Sequence, residues 1–445
     1  MNINGKHITI IGAVRSGIAA AKLAKQLGAI PFVSDISKIE KLEVLDNENI
    51  KYETGQHSAK VFDCDLIITS PGVPSNSDVL VKAKEKNIKI ISEVEFASLF
   101  CKGKIISITG TNGKTTVTAL MSHVLNNSGL KCYTAGNIGI AFSEIVLQMN
   151  ESDFVALETS SFQLDYIDTF KPAYSIILNI TPDHLDRYNH SVQEYAASKF
   201  RIFENQTEND FYIFNADDKY LNTGCSNKLV NKFPFSMSQK LSSGSFYLEN
   251  NMNFSIGGNS EIVCGADSLK IKGEHNISNA LAVLTVAKLI KVDNLKIEKA
   301  FNSFEAVEHR IEFVKEINGV QYFNDSKATN VDAVWYALKS FNEPLLLILG
   351  GKDKGNDYNQ IKDLVKEKVK KIYAIGSSAD KVYEFFKSFV DVEKKESLEI
   401  SVESAKIDAV EGDVVLLSPA CASFDMFDNY EHRGKVFKEA VKNLI

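Results

Sequence analysis

The chain has 445 residues, of which 44% are hydrophobic and 24% charged, and a formal net charge of −7. Those proportions belong to a globular protein of about three ordinary domains, and the negative balance excludes a general nucleic-acid binder. Six scattered cysteines (Cys64, Cys101, Cys132, Cys225, Cys264 and Cys421), with no CxxC pair, read as reduced thiols of a cytoplasmic protein, not as a zinc site or disulfide frame.

The opening MNINGKHITIIG carries a charge and no cleavage signal, so a signal peptide is not expected. No 18-residue apolar run follows, so membrane insertion is not expected either. Residues 7–100 alternate short apolar runs, HITIIG (7–12), IPFVSD (30–35), DLIITSPG (65–72) and IKIIS (88–92), with helix-patterned stretches such as the one closed by Gly28. That alternation predicts a parallel sheet with crossover helices. The first turn reads Gly12-Ala13-Val14-Arg15-Ser16-Gly17, and Asp35 ends the second run. This approaches a dinucleotide fingerprint, but Val14 stands where a glycine would let a pyrophosphate approach the backbone. A structural Rossmann-type unit and a modified nucleotide pocket both remain open, with Asp35 able to accept from a ribose or base. A nicotinamide-dependent oxidoreductase is disfavoured.

Residues 104–116, KIISITGTNGKTT, organise the rest. Ile105, Ile106 and Ile108 predict a buried strand, Gly110-Thr111-Asn112-Gly113 a turn, and the stretch from Lys114-Thr115-Thr116 a helix. Backbone N–H groups and the helix dipole then converge on one point, as a phosphate requires. Lys114 would add a charge for the β- and γ-phosphates, and the Thr115 hydroxyl could ligate Mg²⁺. A plain strand–turn–helix corner is the lesser reading. Glu158, near the end of the strand-like run 153–164, is the hard oxygen ligand that an Mg²⁺–triphosphate needs. His184 follows another strand-like run, among Asp183, Asp186 and Arg187. Lys199 lies on a helix-patterned stretch, 191–205, where a surface lysine is the bland alternative that pattern alone does not overturn. Residues 244–272 predict β-hairpins. Residues 275–290 predict a helix with Asn276 and Asn279 in its first turn, placed to cap it or read a base. From about 307 onward a third α/β unit begins, and several of its strands end in small or polar residues, where ligand crevices of open sheets lie.

GTNGKTT (110–116), GNIG (136–139), LETSSFQL (157–164), NITPDHLDRY (179–188), SKFRIFEN (198–205), HNISNA (275–280), EHRIE (308–312), NDSKATN (324–330), LGGKDKG (349–355) and SPACASFDMFDNYEHRG (418–434) follow one another between residues 110 and 434, and the resemblance they carry covers essentially the whole chain. In this order they resemble the motifs of the Mur ligases, the ATP-dependent amide-forming enzymes of peptidoglycan precursor synthesis. The resemblance implies an α/β protein of three domains. Residues 1–102 would form a Rossmann-like domain holding the UDP end of a substrate. Residues 103–306 would form a P-loop ATP domain, a mostly parallel sheet with added hairpins, and residues 307–445 a Rossmann-like amino-acid domain.

Within the family, the pattern is most similar to the branch that adds D-glutamate to UDP-N-acetylmuramoyl-L-alanine through an acyl phosphate, using ATP and two Mg²⁺ ions. The resemblance then implies roles for particular residues. Lys114, Glu158, His184 and a carbamylated Lys199 would carry the chemistry, and Thr115, Glu158, His184 and Lys199 would hold the metal. ATP would meet Gly110, Thr111, Asn112, Gly113, Lys114, Thr115 and Thr116, with Asn279 on adenine, Asp325 on the ribose, and Arg310 and Lys327 on the phosphates or reacting groups. The uridine nucleotide would meet Arg15, Ser16, Asp35, Ser70, Gly72, Asn137 and His184. D-Glutamate would meet Thr329, Lys354, Ser423 and Tyr430, with Lys352 as a competitor for Lys354. Val14 in the first turn, and Ile36 and Ser37 after Asp35, depart from common family residues. A monomer is expected, with domain closure keeping water from the acyl phosphate.

Two rivals carry their own signatures. A sister ligase for meso-diaminopimelate should show Asn-Pro-Arg in its last domain, and none appears; a folylpolyglutamate builder is the other sister reading. A non-catalytic nucleotide-binding module should have lost Lys114, Glu158, His184 or Lys199, and all four are present.

Overall fold

The computed structural model describes residues 2–38, 42–137, 139–224, 230–271, 273–305 and 307–444, so Cys225 lies outside the described residues. Three sheets carry the chain. The first holds β1 (His7–Ile11), β2 (Ile30–Asp35), β3 (Lys51–Thr54), β4 (Leu66–Thr69) and β5 (Ile90–Ser92). All are parallel, in the order β3-β2-β1-β4-β5. The second holds β6 (Lys104–Thr109), β7 (Cys132–Gly136), β8 (Phe154–Glu158), β9 (Tyr174–Ile177), β10 (Phe211–Asn215), β11 (Asn231–Ser236), β12 (Gly244–Leu248), β13 (Asn251–Ile256) and β14 (Asn259–Gly265). Its order is β14-β13-β12-β11-β10-β9-β6-β8-β7. It is parallel except for the predicted hairpins, β12–β13–β14.

The third holds β15 (Glu312–Ile317), β16 (Val320–Asn324), β17 (Leu345–Gly350), β18 (Val369–Ile375), β19 (Asp391–Lys394) and β20 (Val414–Leu417). Its order is β15-β16-β20-β17-β18-β19, with β15 alone antiparallel. Central strands such as β4, β8, β17 and β20 are buried along their whole length. Their sequences read as unbroken apolar runs because crossover helices cover both faces.

The chain forms two compact units, Met1–Lys270 with Ile277–Phe304, and Ile271–Asn276 with Glu305–Ile445. The first two sheets share the first unit because one apolar core runs through both, joining Ile8 and Ile10 to Phe142, Val155 and Leu157. Glu95 fastens the same joint. Its buried carboxylate accepts the backbone N–H of Asp168 (2.9 Å), Thr169 (3.0 Å) and Phe170 (2.8 Å), and the Thr169 hydroxyl (2.7 Å).

Each of the first two sheets reverses strand order beside the strand that bears its first turn, β1 or β6. The turns after those strands therefore open into the crevice where α/β proteins bind ligands.

Candidate active site

The turn after β6 runs from Gly110 to Gly113 into the helix Lys114–Asn127. Gly113 has a φ of 84°, which favours glycine, and a Cβ there would lie 2.5 Å from Asn279 Oδ1 and displace that side chain. The loop after β9 cradles this turn. Asn179 Oδ1 accepts the Asn112 N–H at 2.9 Å and its Nδ2 donates to the Asn112 carbonyl at 3.2 Å. The Thr111 N–H donates to the Asn179 carbonyl, and the Thr181 N–H to the Thr111 hydroxyl, both at 3.0 Å. Sequence reasoning gave Asn179 and Thr181 no role, although both lie in NITPDHLDRY. Nothing in a linear pattern says which residues of that run face the turn.

Lys114 folds back over the turn, Nζ donating to the carbonyls of Gly110 (2.8 Å) and Thr111 (2.6 Å). The pairing of Ile108 with Glu158 across β6 and β8 brings the Thr115 hydroxyl to donate to Glu158 Oε2 at 2.9 Å. Asn137 donates its Nδ2 to Glu158 Oε1 at 3.4 Å and its backbone N–H to the Glu158 carbonyl at 2.9 Å. A buried carboxylate beside a hydroxyl is the oxygen donor set that a hard divalent cation takes, so these residues fit Mg²⁺.

Lys199 corrects the surface-lysine alternative. It is 1% exposed, with Nζ donating to the Gly110 carbonyl at 3.0 Å and lying 4.5 Å from the Tyr195 ring centre. Burial, and then the Lys114 charge, hold its pKa well below the usual lysine value, against the opposing pull of Asp183, Asp165 and Glu158. A neutral amine is what carbamylation needs. His184, with a φ of 53°, sets its ring beside Asp183 (Nε2 to Oδ2 3.6 Å) and against the edge of Phe162 (5.1 Å between centroids). Asn279 closes the other side of Gly113. Asn276 lies in the segment that joins the second unit.

The loops of the first sheet carry five of the residues expected for the uridine nucleotide, Arg15, Ser16, Asp35, Ser70 and Gly72, whereas Asn137 and His184 lie by the second sheet. Asp35 accepts the N–H of Ala13 (2.7 Å) and of Ser37 (2.8 Å), and Ser70 donates to the Gly12 carbonyl (3.2 Å). Arg15, one residue before Ser16, donates to the Gly139 carbonyl at 2.8 Å, and the Gly72 carbonyl accepts from Arg187 at 2.9 Å. Val14, whose Cβ is expected to crowd an approaching pyrophosphate, has an ordinary φ of −89° and is 75% exposed. The positions that must be glycine are Gly12 (φ 92°) and Gly17, where a Cβ would lie 1.8 Å from the Gly12 carbonyl oxygen.

In the second unit the carboxyl ends of β16, β17 and β20 converge. Asp325 is buried, accepting from the Ser418 hydroxyl (2.8 Å) and the Ile311 N–H (3.3 Å). Burial raises its pKa to about 7, although Arg310, Ser418 and Arg433 favour the anion. Arg310 leaves its buried Nε without a hydrogen-bond partner, which suits an anionic ligand. Lys327 Nζ sits 5.1 Å from the Tyr430 ring centre, and the Thr329 N–H donates to the Lys327 carbonyl at 2.9 Å. Ser423 is buried, whereas Lys352 and Lys354 are both exposed on the loop after β17. Lys352 is tied there by a backbone bridge to Ala422.

Arg433, which the sequence reading passed over, joins two of these loops. It donates to the Ser326 hydroxyl (3.0 Å) and carbonyl (2.7 Å) and to the Cys421 carbonyl (3.1 Å), and burial lowers its pKa to about 10.

Comparison with known proteins gives the family. The family described as Mur ligase middle domain matches residues 108–287, the Mur ligase glutamate ligase domain residues 309–421, and the MurD N-terminal domain residues 8–79. A UDP-N-acetylmuramoylalanine--D-glutamate ligase from Chloroherpeton thalassium is 45% identical over 466 aligned residues, covering 99% of each chain. One of the same name from Christiangramia forsetii is also 45% identical, over 99% of this chain and 100% of its own. Among solved structures, UDP-N-acetylmuramate-alanine ligase from Thermotoga maritima shares the fold with a TM-score of 0.63 at 20% identity, over 98% of this chain and 99% of that one. MurF ligase from Thermotoga maritima, solved with ADP, shares it at 0.61 and 16% identity, over 93% and 95%. The chain belongs to the Mur ligase family.

Proposed function

We propose that this chain is an ATP-dependent ligase that joins D-glutamate to UDP-N-acetylmuramoyl-L-alanine in peptidoglycan precursor synthesis. The observation that carries the reading is the full-length 45% identity to D-glutamate ligases, combined with a complete Lys114, Thr115, Glu158 and Lys199 cluster at the P-loop. No described helix is long and apolar enough to cross a membrane.

A carboxylate is a poor electrophile because its oxygen leaves badly. In this reading the alanyl carboxylate oxygen attacks the γ-phosphorus of ATP, ADP leaves, and an acyl phosphate forms. The amine of D-glutamate then attacks the carbonyl carbon and loses a proton. The tetrahedral adduct collapses by expelling phosphate, giving an amide. Such a sequence asks the protein for positioning and charge neutralisation more than for covalent help.

The turn 110–113 and the start of its helix bind the triphosphate through backbone N–H groups, with Lys114, Thr115 and Thr116. Thr115, Glu158, His184 and Lys199 are the residues that would hold Mg²⁺, two ions in this reading, which when bound neutralise the triphosphate. Lys199 serves as a carbamate: its neutral amine adds to CO₂, an N–C bond forms, and one proton leaves. Asn279, Asp325, Arg310 and Lys327 take the adenosine and phosphates. Arg15, Ser16, Asp35, Ser70, Gly72, Asn137 and His184 take the uridine-nucleotide side, and Thr329, Lys354, Ser423 and Tyr430 the D-glutamate.

Phosphate release with ATP, Mg²⁺ and UDP-N-acetylmuramoyl-L-alanine, comparing D-glutamate with L-glutamate, L-lysine and meso-diaminopimelate, tests this. Turnover with D-glutamate alone is expected. Turnover with another acceptor moves the chain to a sister activity, and none with any acceptor overturns the ligase reading.

A further inference from the structure

Arg187 has no part in the chemistry described above, yet it ties two pieces of it together. It ends the short turn Leu185–Arg187 that follows His184, and its side chain leaves the second sheet's loop for the first sheet. There Nη1 donates to the Pro71 carbonyl at 3.0 Å and Nη2 to the Gly72 carbonyl at 2.9 Å. The guanidinium also lies over the Phe162 ring, 4.2 Å from Cζ to the ring centre, and the same ring meets the His184 ring edge-on at 5.1 Å. One side chain therefore grips the turn after β4 and backs the ring against which His184 rests. A planar fork that donates two bonds while its face stacks fixes orientation as well as distance; a lysine ammonium, a point charge on a flexible stem, would fix neither.

We infer that Arg187 is a positioning residue that sets the separation between the Ser70–Gly72 turn, on the uridine-nucleotide side, and the His184 loop beside the P-loop. Filling the first site thereby orders the second. This rests on the ligase reading above.

Hydrogen exchange of the full chain with and without uridine 5′-diphosphate, together with steady-state kinetics, tests it in wild type, Arg187→Ala and Arg187→Lys. In the wild type the nucleotide slows exchange at residues 181–190; in Arg187→Ala that response disappears, while residues 114–127 stay as protected as before. Misplacement of a catalytic loop by about 1 Å costs on the order of 100-fold. Accordingly kcat/KM for the UDP substrate falls roughly 10- to 100-fold in Arg187→Ala, and KM for ATP moves less than about two-fold. Arg187→Lys recovers only a small part of the loss, and carries the test if the alanine variant fails to fold.

Equal responses at 181–190 in wild type and variants, or unchanged kcat/KM, overturn the inference alone. So does full recovery by lysine, and so does a loss shared equally by ATP, the mark of a merely structural role. A wild type that neither turns over nor responds to the nucleotide overturns the ligase reading, and the inference with it.

Discussion

Replacing Lys199 by methionine, which fills similar space without an amine, isolates the energetics of a buried lysine. The folded-state pKa of Lys199 lies well below 10.5, chiefly through burial and then through Lys114. An unfolded lysine titrates at about 10.4. Between those two values the unfolded chain holds one more proton than the folded chain, so stability must rise with pH across that window. Below the folded value the penalty for burying the charge is constant and full; above the unfolded value it is gone. The slope inside the window is at most 2.303RT per proton, about 1.4 kcal/mol per pH unit.

The measurement is urea unfolding of wild type and Lys199→Met by far-ultraviolet circular dichroism, from pH 7 to pH 10 in CO₂-free buffer. Other groups titrate in the same range, so the quantity read is the difference between the two proteins. Trp335, the single tryptophan, lies in the second unit, so its fluorescence reports the unfolding of that unit alongside. Wild type should gain on the variant as pH rises. Parallel curves would refute the reasoning, because they would mean that Asp183, Asp165 and Glu158 keep the amine charged in the folded protein. Restoring bicarbonate should raise wild-type turnover and leave the variant unaffected.

Glu158→Gln keeps the size of the side chain but removes the anionic oxygen facing Thr115. It should lower kcat on the order of 100- to 1,000-fold and raise the Mg²⁺ concentration needed for half-maximal rate. Adding Thr115→Ala should cost little more, since the two groups act as one; a drop of less than about three-fold in the single variant would remove Glu158 from the metal set. Glu95→Ala strips the acceptor from three backbone N–H groups, of which that of Phe170 is buried, and from the Thr169 hydroxyl. A buried orphaned group costs about 1–3 kcal/mol, so the first unit should lose about 1–3 kcal/mol in urea unfolding through the Phe170 N–H, whereas an unchanged midpoint would mean that water replaces the carboxylate.

How far the site was legible varied with the kind of information each residue carries. The turn 110–116 was legible because glycine positions and a strand-to-helix change of period are local: they act within about ten residues, and Gly113 confirms the point with its positive φ. Glu158 was legible as the last residue of an apolar run, since the end of a buried parallel strand is where a polar residue can face a crevice. Val14 shows that a fingerprint records residue types without directions. Its side chain stands in solvent, and Gly12 and Gly17 make the tight approaches.

The sequence by itself determined the α/β character of all three sheets, the P-loop, the oxygen and nitrogen groups available around it, and the family. All of these follow from short-range periodicity and from motifs in a set order. The tertiary structure alone decided that Lys199 is buried, that Asn179 and Thr181 hold the phosphate turn, that Arg187 reaches the first sheet, and that Asp325 is pushed towards neutrality. Burial and charge state depend on which distant elements pack against a residue. Helix 192–200 presents its lysine to the Gly110 carbonyl, 89 positions earlier in the chain. No local pattern encodes that distance, because it is set only when the sheets close over their shared core.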